Sequence, residues 1–133
     1  MAEYLLIAEN ITYKQHKLSC INIYDRISVI AMPSEFLFDL VAICGPNWPT
    51  GEHKLEIKAR INTNEEVSVG ELKVNIQNEN YVYNAIANNL RLILDQSITN
   101  VTFIIYDNGN ELFSRKYAVE AMFIPQQKAN ENN

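Results

Sequence analysis

The chain has 133 residues, 47% of them hydrophobic and 20% charged. That is enough apolar material for one folded domain and too little charge for a disordered chain. Sixteen acidic residues against eleven basic ones give a net charge of −5, which weighs against a non-specific phosphate-binding surface, so no nucleic-acid partner is expected. No apolar run reaches the length of a membrane span. The first residues, Met1 to Glu9, carry no basic segment and have acidic residues at Glu3 and Glu9, so a cytoplasmic chain with no membrane partner is expected.

Tyr4 to Ile11 is expected as a strand, followed by a polar turn at Lys14-Gln15-His16-Lys17. Leu18 to Ala31 is a long apolar stretch broken at Asp25-Arg26, either bent there or divided into two strands, and stopped by Pro33, which cannot donate to a ladder. In Glu35 to Cys44, Phe36, Phe38, Leu40, Ala42 and Cys44 share one face, while Leu37, Val41 and Ile43 share the other with Asp39. This strand is therefore apolar on nearly both sides. Residues 45–51, with two prolines and two glycines, form a loop.

Period-two alternation is clearest over Lys54 to Ile61, where charges take every even position and apolar residues every odd one. A helix would scatter those charges around its axis, so a half-buried strand is predicted. Glu71 to Gln77 repeats the pattern after a turn at Asn62 to Glu66. Tyr81 to Gln96 fits two templates: Ile86, Leu90, Ile93 and Leu94 make a helical stripe, and Leu90, Leu92 and Leu94 make a strand face. Strands at about 81–86 and 89–94 are favoured, because Asn84, Asn88 and Asn89 oppose a helix; a short helix near 83–94 is the alternative. Val101 to Tyr106 and Leu112 to Val119 flank Asp107-Asn108-Gly109-Asn110, whose Asn-Gly step suits a tight hairpin. The polar tail 126–133 is expected to be disordered beyond a single domain spanning 1–125. The predicted fold is all-β, an antiparallel sandwich of about seven to nine strands of immunoglobulin-like or C2-like type.

The stretch His16-Lys17-Leu18-Ser19-Cys20-Ile21-Asn22-Ile23-Tyr24-Asp25-Arg26-Ile27, followed by Pro33, resembles a bacterial family of small β-sandwich proteins, a domain of unknown function. Its members open with a short strand, then a Lys-Leu-Ser … Gly-x-Tyr-Asp-x-Ile motif, then a proline before the next strand. Lys17-Leu18-Ser19, Tyr24-Asp25 and Ile27 match, and Asn22 stands where the motif has glycine. Gly51-Glu52-His53 entering a strand and the hairpin around Asp107-Asn108-Gly109 run parallel to it. The resemblance implies a compact antiparallel sandwich and implies no activity.

Residues with chemical potential are few. Cys20 and Cys44 lie inside apolar stretches without metal or redox spacing, and are expected as small buried hydrophobes in a reducing compartment; a Cys20–Cys44 disulfide is the alternative. His16 and His53 are expected as solvated turn histidines, since a metal site needs several convergent ligands and no cofactor is anticipated. Asp25-Arg26 is either a bulge or strand-end ion pair, or an acid, ligand or interface anchor. Asp39, if buried, needs a partner, for which Arg26 and Arg91 are available. Trp48 either caps the end of the sandwich or stands exposed as a binding anchor. With four glycines in the chain, phosphate-cradling loops are scarcely available. The leading expectation is a non-enzymatic binding or interaction module with a protein partner or a second copy of itself, the mixed faces of 101–106 hinting at an extra buried surface. Asp25, Arg26, Asp39, Trp48 and His53 are its candidate interaction or structural residues. The rivals are a small enzyme or metal protein built on Asp25, Asp39, His16 and His53, and a phage- or plasmid-encoded inhibitor of a host protein.

Overall fold

The computed structural model describes residues 4–31, 33–63 and 65–121. In chain order the strands are β1 (Tyr4–Lys14), β2 (Lys17–Ile23), β3 (Ile27–Val29), β4 (Ser34–Cys44), β5 (Gly51–Ile61), β6 (Glu65–Ile76), β7 (Tyr83–Leu94), β8 (Asn100–Asp107) and β9 (Asn110–Ala121). Among the described residues no helix is long and apolar enough to cross a membrane. The tail 126–133 lies outside the described residues.

Two sheets form, in the orders β2-β1-β4-β7 and β3-β9-β8-β5-β6. The apolar stretch 18–31 is indeed two strands, and they belong to different sheets. The chain crosses between layers at Tyr24–Arg26, and β3 then runs parallel to β9. That single pair departs from the all-antiparallel expectation, because a strand that changes sheet without reversing meets its new neighbour from the same end. β1, β4 and β7 in one layer and β5, β8 and β9 in the other reproduce the A-B-E and C-F-G connectivity of an immunoglobulin-type sandwich, with β6 beside C and β2 as an addition.

The inner faces are those the alternation named. Leu55, Ile57 and Ala59 of β5 are fully buried, as are Val101, Phe103 and Ile105 of β8. Phe36, Phe38, Leu40, Ala42 and Cys44 of β4 join the same core. A run of rings crosses from one layer to the other. Tyr24 meets Phe36, Phe36 stacks on Phe38, Phe38 meets Phe103, and Phe103 meets Tyr117, with centroids 5.1–5.8 Å apart. Ile104 is also fully buried although it lies on the outer face of β8. Its register neighbours there are Lys58 and Ser114, and long polar stems of this kind cover apolar surface. The apolar residue on the outer face of 101–106 is thus already buried within the chain.

Two strands change parity along their length. In β7 the inner residues are Ala85 and Ala87, then Leu92 and Leu94. The shift occurs where Asn88 and Asn89 face Asp39 across an irregular register, with Asn89 in the left-handed region at φ 58°. This one bulged strand replaces both the helix and the two separate strands expected over 81–96. In β1, Leu5 and Ile7 face the core, whereas Ala8 and Ile11 both join a second cluster with Val41 and Ile43. Strict alternation cannot put Ala8 and Ile11 on one side, so the strand turns over between them. The distal β1–β2 hairpin then leans across the outer face of β4 and β7, and Leu18 and Cys20 pack there too.

Candidate functional site

The residues singled out in the sequence do not converge. Asp25 and Arg26 mark the corner where the chain changes sheets, with 3.5 Å between them and 3.8 Å from Arg26 to Glu120. Both side chains are mostly exposed. Trp48 is 7% exposed and belongs to the core, so it closes the end of the sandwich and presents no ring to a partner. Cys20 and Cys44 do not form a disulfide, since β1 separates their strands. The Cys44 thiol lies 3.5 Å from the Ala42 carbonyl, and burial pushes the Cys20 thiol pKa up. His16 sits in the left-handed β1–β2 turn, and no contact joins it to His53 among the hydrogen bonds that hold His53. Among the described residues no three His, Cys, Asp or Glu side chains are grouped to hold a metal.

Asp39 is buried, and its partners are amides and not arginines. Oδ2 accepts from the Ile11 backbone N–H at 2.9 Å and from Asn88 Nδ2 at 2.8 Å, and Oδ1 accepts from the Asn89 N–H at 2.8 Å. Burial raises the carboxyl pKa, but these three hydrogen bonds outweigh it and the net shift is downward. Asn88 Nδ2 also donates to the Ile11 carbonyl at 3.0 Å. The carboxylate thus ties the β7 bulge to the point where β1 leaves the sheet. Arg91 pairs instead with Glu35 at 3.2 Å, because it lies on the outer face one turn of the pleat away.

His53 is not the solvated turn residue expected. Its Nδ1 is 2.8 Å from Asp107 Oδ2 and its Nε2 is 2.7 Å from the Pro49 carbonyl, and its ring lies 5.4 Å from that of Trp48. Burial alone would favour the neutral ring, but two acceptors outweigh it and raise the pKa above the ordinary histidine value. Both partners are acceptors, so the protonated ring donates at both nitrogens, and the ring links the 45–50 loop to the β8–β9 hairpin.

A further concavity lies elsewhere. A cleft of about 1070 Å³ opens between the tip of the β1–β2 hairpin, the end of β6 and the loop leading into β7. Tyr13 and His16 stand on the hairpin side, Lys73 and Asn75 on β6, and Asn80 and Tyr81 on the loop. Tyr13 is 45% exposed and Tyr81 62%. The loop is built to hold this shape. The Tyr83 hydroxyl accepts from the Gln77 and Asn78 N–H groups at 3.0 Å each. The Asn80 N–H donates to Asn78 Oδ1 at 2.9 Å and the Tyr81 N–H to the Asn78 carbonyl at 3.1 Å. From behind, the Asn47 N–H donates to the Glu79 carbonyl at 2.6 Å. Gly45, at φ 99°, lies so close that a Cβ there would come within 2.8 Å of the Tyr81 carbonyl oxygen. The Trp48 loop therefore serves the cleft as a buttress. The candidate residues named from the sequence do not include this site; its signal is the asparagine-rich run 75–84, which contains Tyr81-Val82-Tyr83. Comparison of the chain with family models, with curated proteins and with solved structures finds no match.

Proposed function

We propose that this protein is a non-enzymatic binding module of immunoglobulin-type architecture that receives its ligand in the cleft between the β1–β2 hairpin and the 77–82 loop. The observation that carries this reading is the pairing of exposed rings with a fixed wall. Tyr13 and Tyr81 are held open to solvent beside a loop in which the Gln77, Asn78, Asn80 and Tyr81 N–H groups are already used internally. Aromatic rings placed this way supply contact area at low entropic cost, and a wall that need not reorder on binding retains more of the affinity. The resemblance to the bacterial sandwich family is part of this reading. Asn22, which takes the place of the motif's glycine, has φ 56°, the conformation that favours glycine. An amide-resolved fragment screen by nuclear magnetic resonance tests it. The expected result is shifts concentrated at residues 13–16 and 73–84. Hits confined to the depression beside Asp39, or turnover of an esterase, phosphatase or nuclease substrate that disappears in Asp25→Ala, would overturn it.

A second reading, self-association, is favoured by one observation. β2 is an edge strand, and it exposes Ile21 and Ile23 by more than half, an arrangement that invites pairing with another strand. A concentration-dependent mass in sedimentation that Ile23→Lys abolishes would support it. A monomer at all concentrations would remove it.

A further inference from the structure

We infer that the ligand class of this cleft is an acidic oligosaccharide, a chain of hydroxylated rings bearing carboxylates. The inference rests on the cleft being the binding site. Among the described residues its lining contains Lys73 and His16 and no carboxylate, in a chain that carries sixteen acidic residues and a net charge of −5. An acid-free recess in an acidic protein favours an anionic occupant.

The polar lining is made of amides. Asn75, Asn80 and Asn84 each offer donors and an acceptor on one side chain, which matches hydroxyl groups that donate and accept at once. An apolar ligand would strip water from these amides and return nothing. The exposed faces of Tyr13 and Tyr81 supply flat apolar surface of the kind that the C–H face of a sugar ring can cover.

On the loop wall the N–H groups of Gln77, Asn78, Asn80 and Tyr81 are already engaged, so that wall meets a ligand through its side chains. A peptide would instead add to the free edge of β6, and an acidic peptide control separates that occupant from a sugar.

The test is a resonance titration of the full chain with a panel of acidic oligosaccharides (galacturonate, hyaluronan and sialylated), with a glucose tetrasaccharide as the neutral control and a polyglutamate peptide as the protein-like control. At least one acidic sugar is expected to shift the side-chain amides of Asn75, Asn80 and Asn84 and to bind about tenfold tighter than the neutral sugar. Tyr81→Ala should weaken binding about tenfold, and Lys73→Gln should erase the preference for the acid while sparing the neutral sugar's affinity. Both positions are exposed, so both variants should keep the wild-type unfolding midpoint, which serves as the folding control. No shift with any acidic sugar at about 10 mM would overturn the inference, as would an equal response to the neutral sugar. If the peptide or fragments still shift these amides, the cleft stands as the binding site and only the ligand class fails. If nothing shifts them, both fail.

Discussion

Replacing Asp39 by alanine should destabilise the protein far more than an ordinary surface change. The carboxylate is 4% exposed and receives two backbone N–H groups and one amide. Its removal leaves the Ile11 and Asn89 donors without their acceptor. Each buried, unsatisfied donor costs roughly 1–3 kcal/mol, and the depression beside Asp39 admits water that recovers part of it, so the expected loss is about 3 kcal/mol. Asp39→Asn keeps one acceptor oxygen but turns an NH₂ toward at least one donor, for an expected loss of about 2 kcal/mol. With a urea m-value of about 2 kcal/mol per molar for a chain of this size, the alanine variant's midpoint should fall by about 1.5 M. Hydrogen exchange should show the Ile11 and Asn89 amides losing protection before the core of β8. The pH dependence has a definite sign. Because the folded pKa is lowered, the contribution is present above the unfolded value near 3.9 and is lost as pH falls through the folded one, so the wild type should weaken in acid more steeply than Asp39→Asn. A midpoint shift under about 0.5 M with both amides still protected would refute the account of Asp39 as the tie between β1 and the β7 bulge.

His53 should show the opposite pH behaviour. Its pKa is raised in the folded state, so its contribution is complete below about 6.5 and is lost as pH rises through the folded value. Melting temperatures of wild type and His53→Gln should therefore differ at pH 6 and converge at high pH, and a ring that titrates below about 6.5 would contradict this. Gly45→Ala adds a left-handed strain at φ 99° and a Cβ 2.8 Å from the Tyr81 carbonyl oxygen. The expected cost is about 3 kcal/mol, together with displaced resonances at Asn80–Tyr83, and an unperturbed spectrum would show the buttress to be unimportant. Asn22→Gly should keep stability within about 0.5 kcal/mol while Asn22→Ala loses about 1 kcal/mol in chemical denaturation, since φ 56° disfavours a plain L side chain; equal stabilities would contradict the left-handed conformation.

The sheets were legible wherever one face of a strand stayed one face. Leu55, Ile57, Ala59 and Ile61 alternate without interruption against Lys54, Glu56, Lys58 and Arg60, and β5 lies where the pattern put it. The Asn108-Gly109 turn, at φ 53° and 81°, follows from dipeptide chemistry alone. The double-faced pattern of β4 also carried its meaning: the even residues fill the main core, and Val41 and Ile43 face a second cluster. What covers that second face was not legible, because the covering comes from β1 after it leaves the sheet. In β7 the parity shift at Asn88–Asn89 made Ile86, Leu90 and Ile93 mimic a helical stripe. Periodicity assumes a regular backbone, and a bulge violates that assumption without altering composition.

Asparagine explains both the gaps in that reading and the difficulty of finding the site. The chain has four glycines, and among the described residues five of the seven non-glycine residues at positive φ are asparagines: Asn22, Asn47, Asn62, Asn89 and Asn108. Each stands where the backbone bends or reverses, doing through αL tolerance what glycine usually does. Asn62 adds side-chain contacts as well: its Oδ1 accepts the Thr99 N–H at 2.8 Å and its Nδ2 donates to the Ser97 carbonyl at 3.0 Å, which fixes the β7–β8 connection. Asn75, Asn80 and Asn84 have no such dihedral and turn their amides to the cleft. In sequence the two groups are indistinguishable, so a run such as 75–84 reads as turn material. Only the backbone dihedrals separate asparagines that shape the chain from asparagines left available to a ligand, and the second group is the one that gathers beside Tyr81.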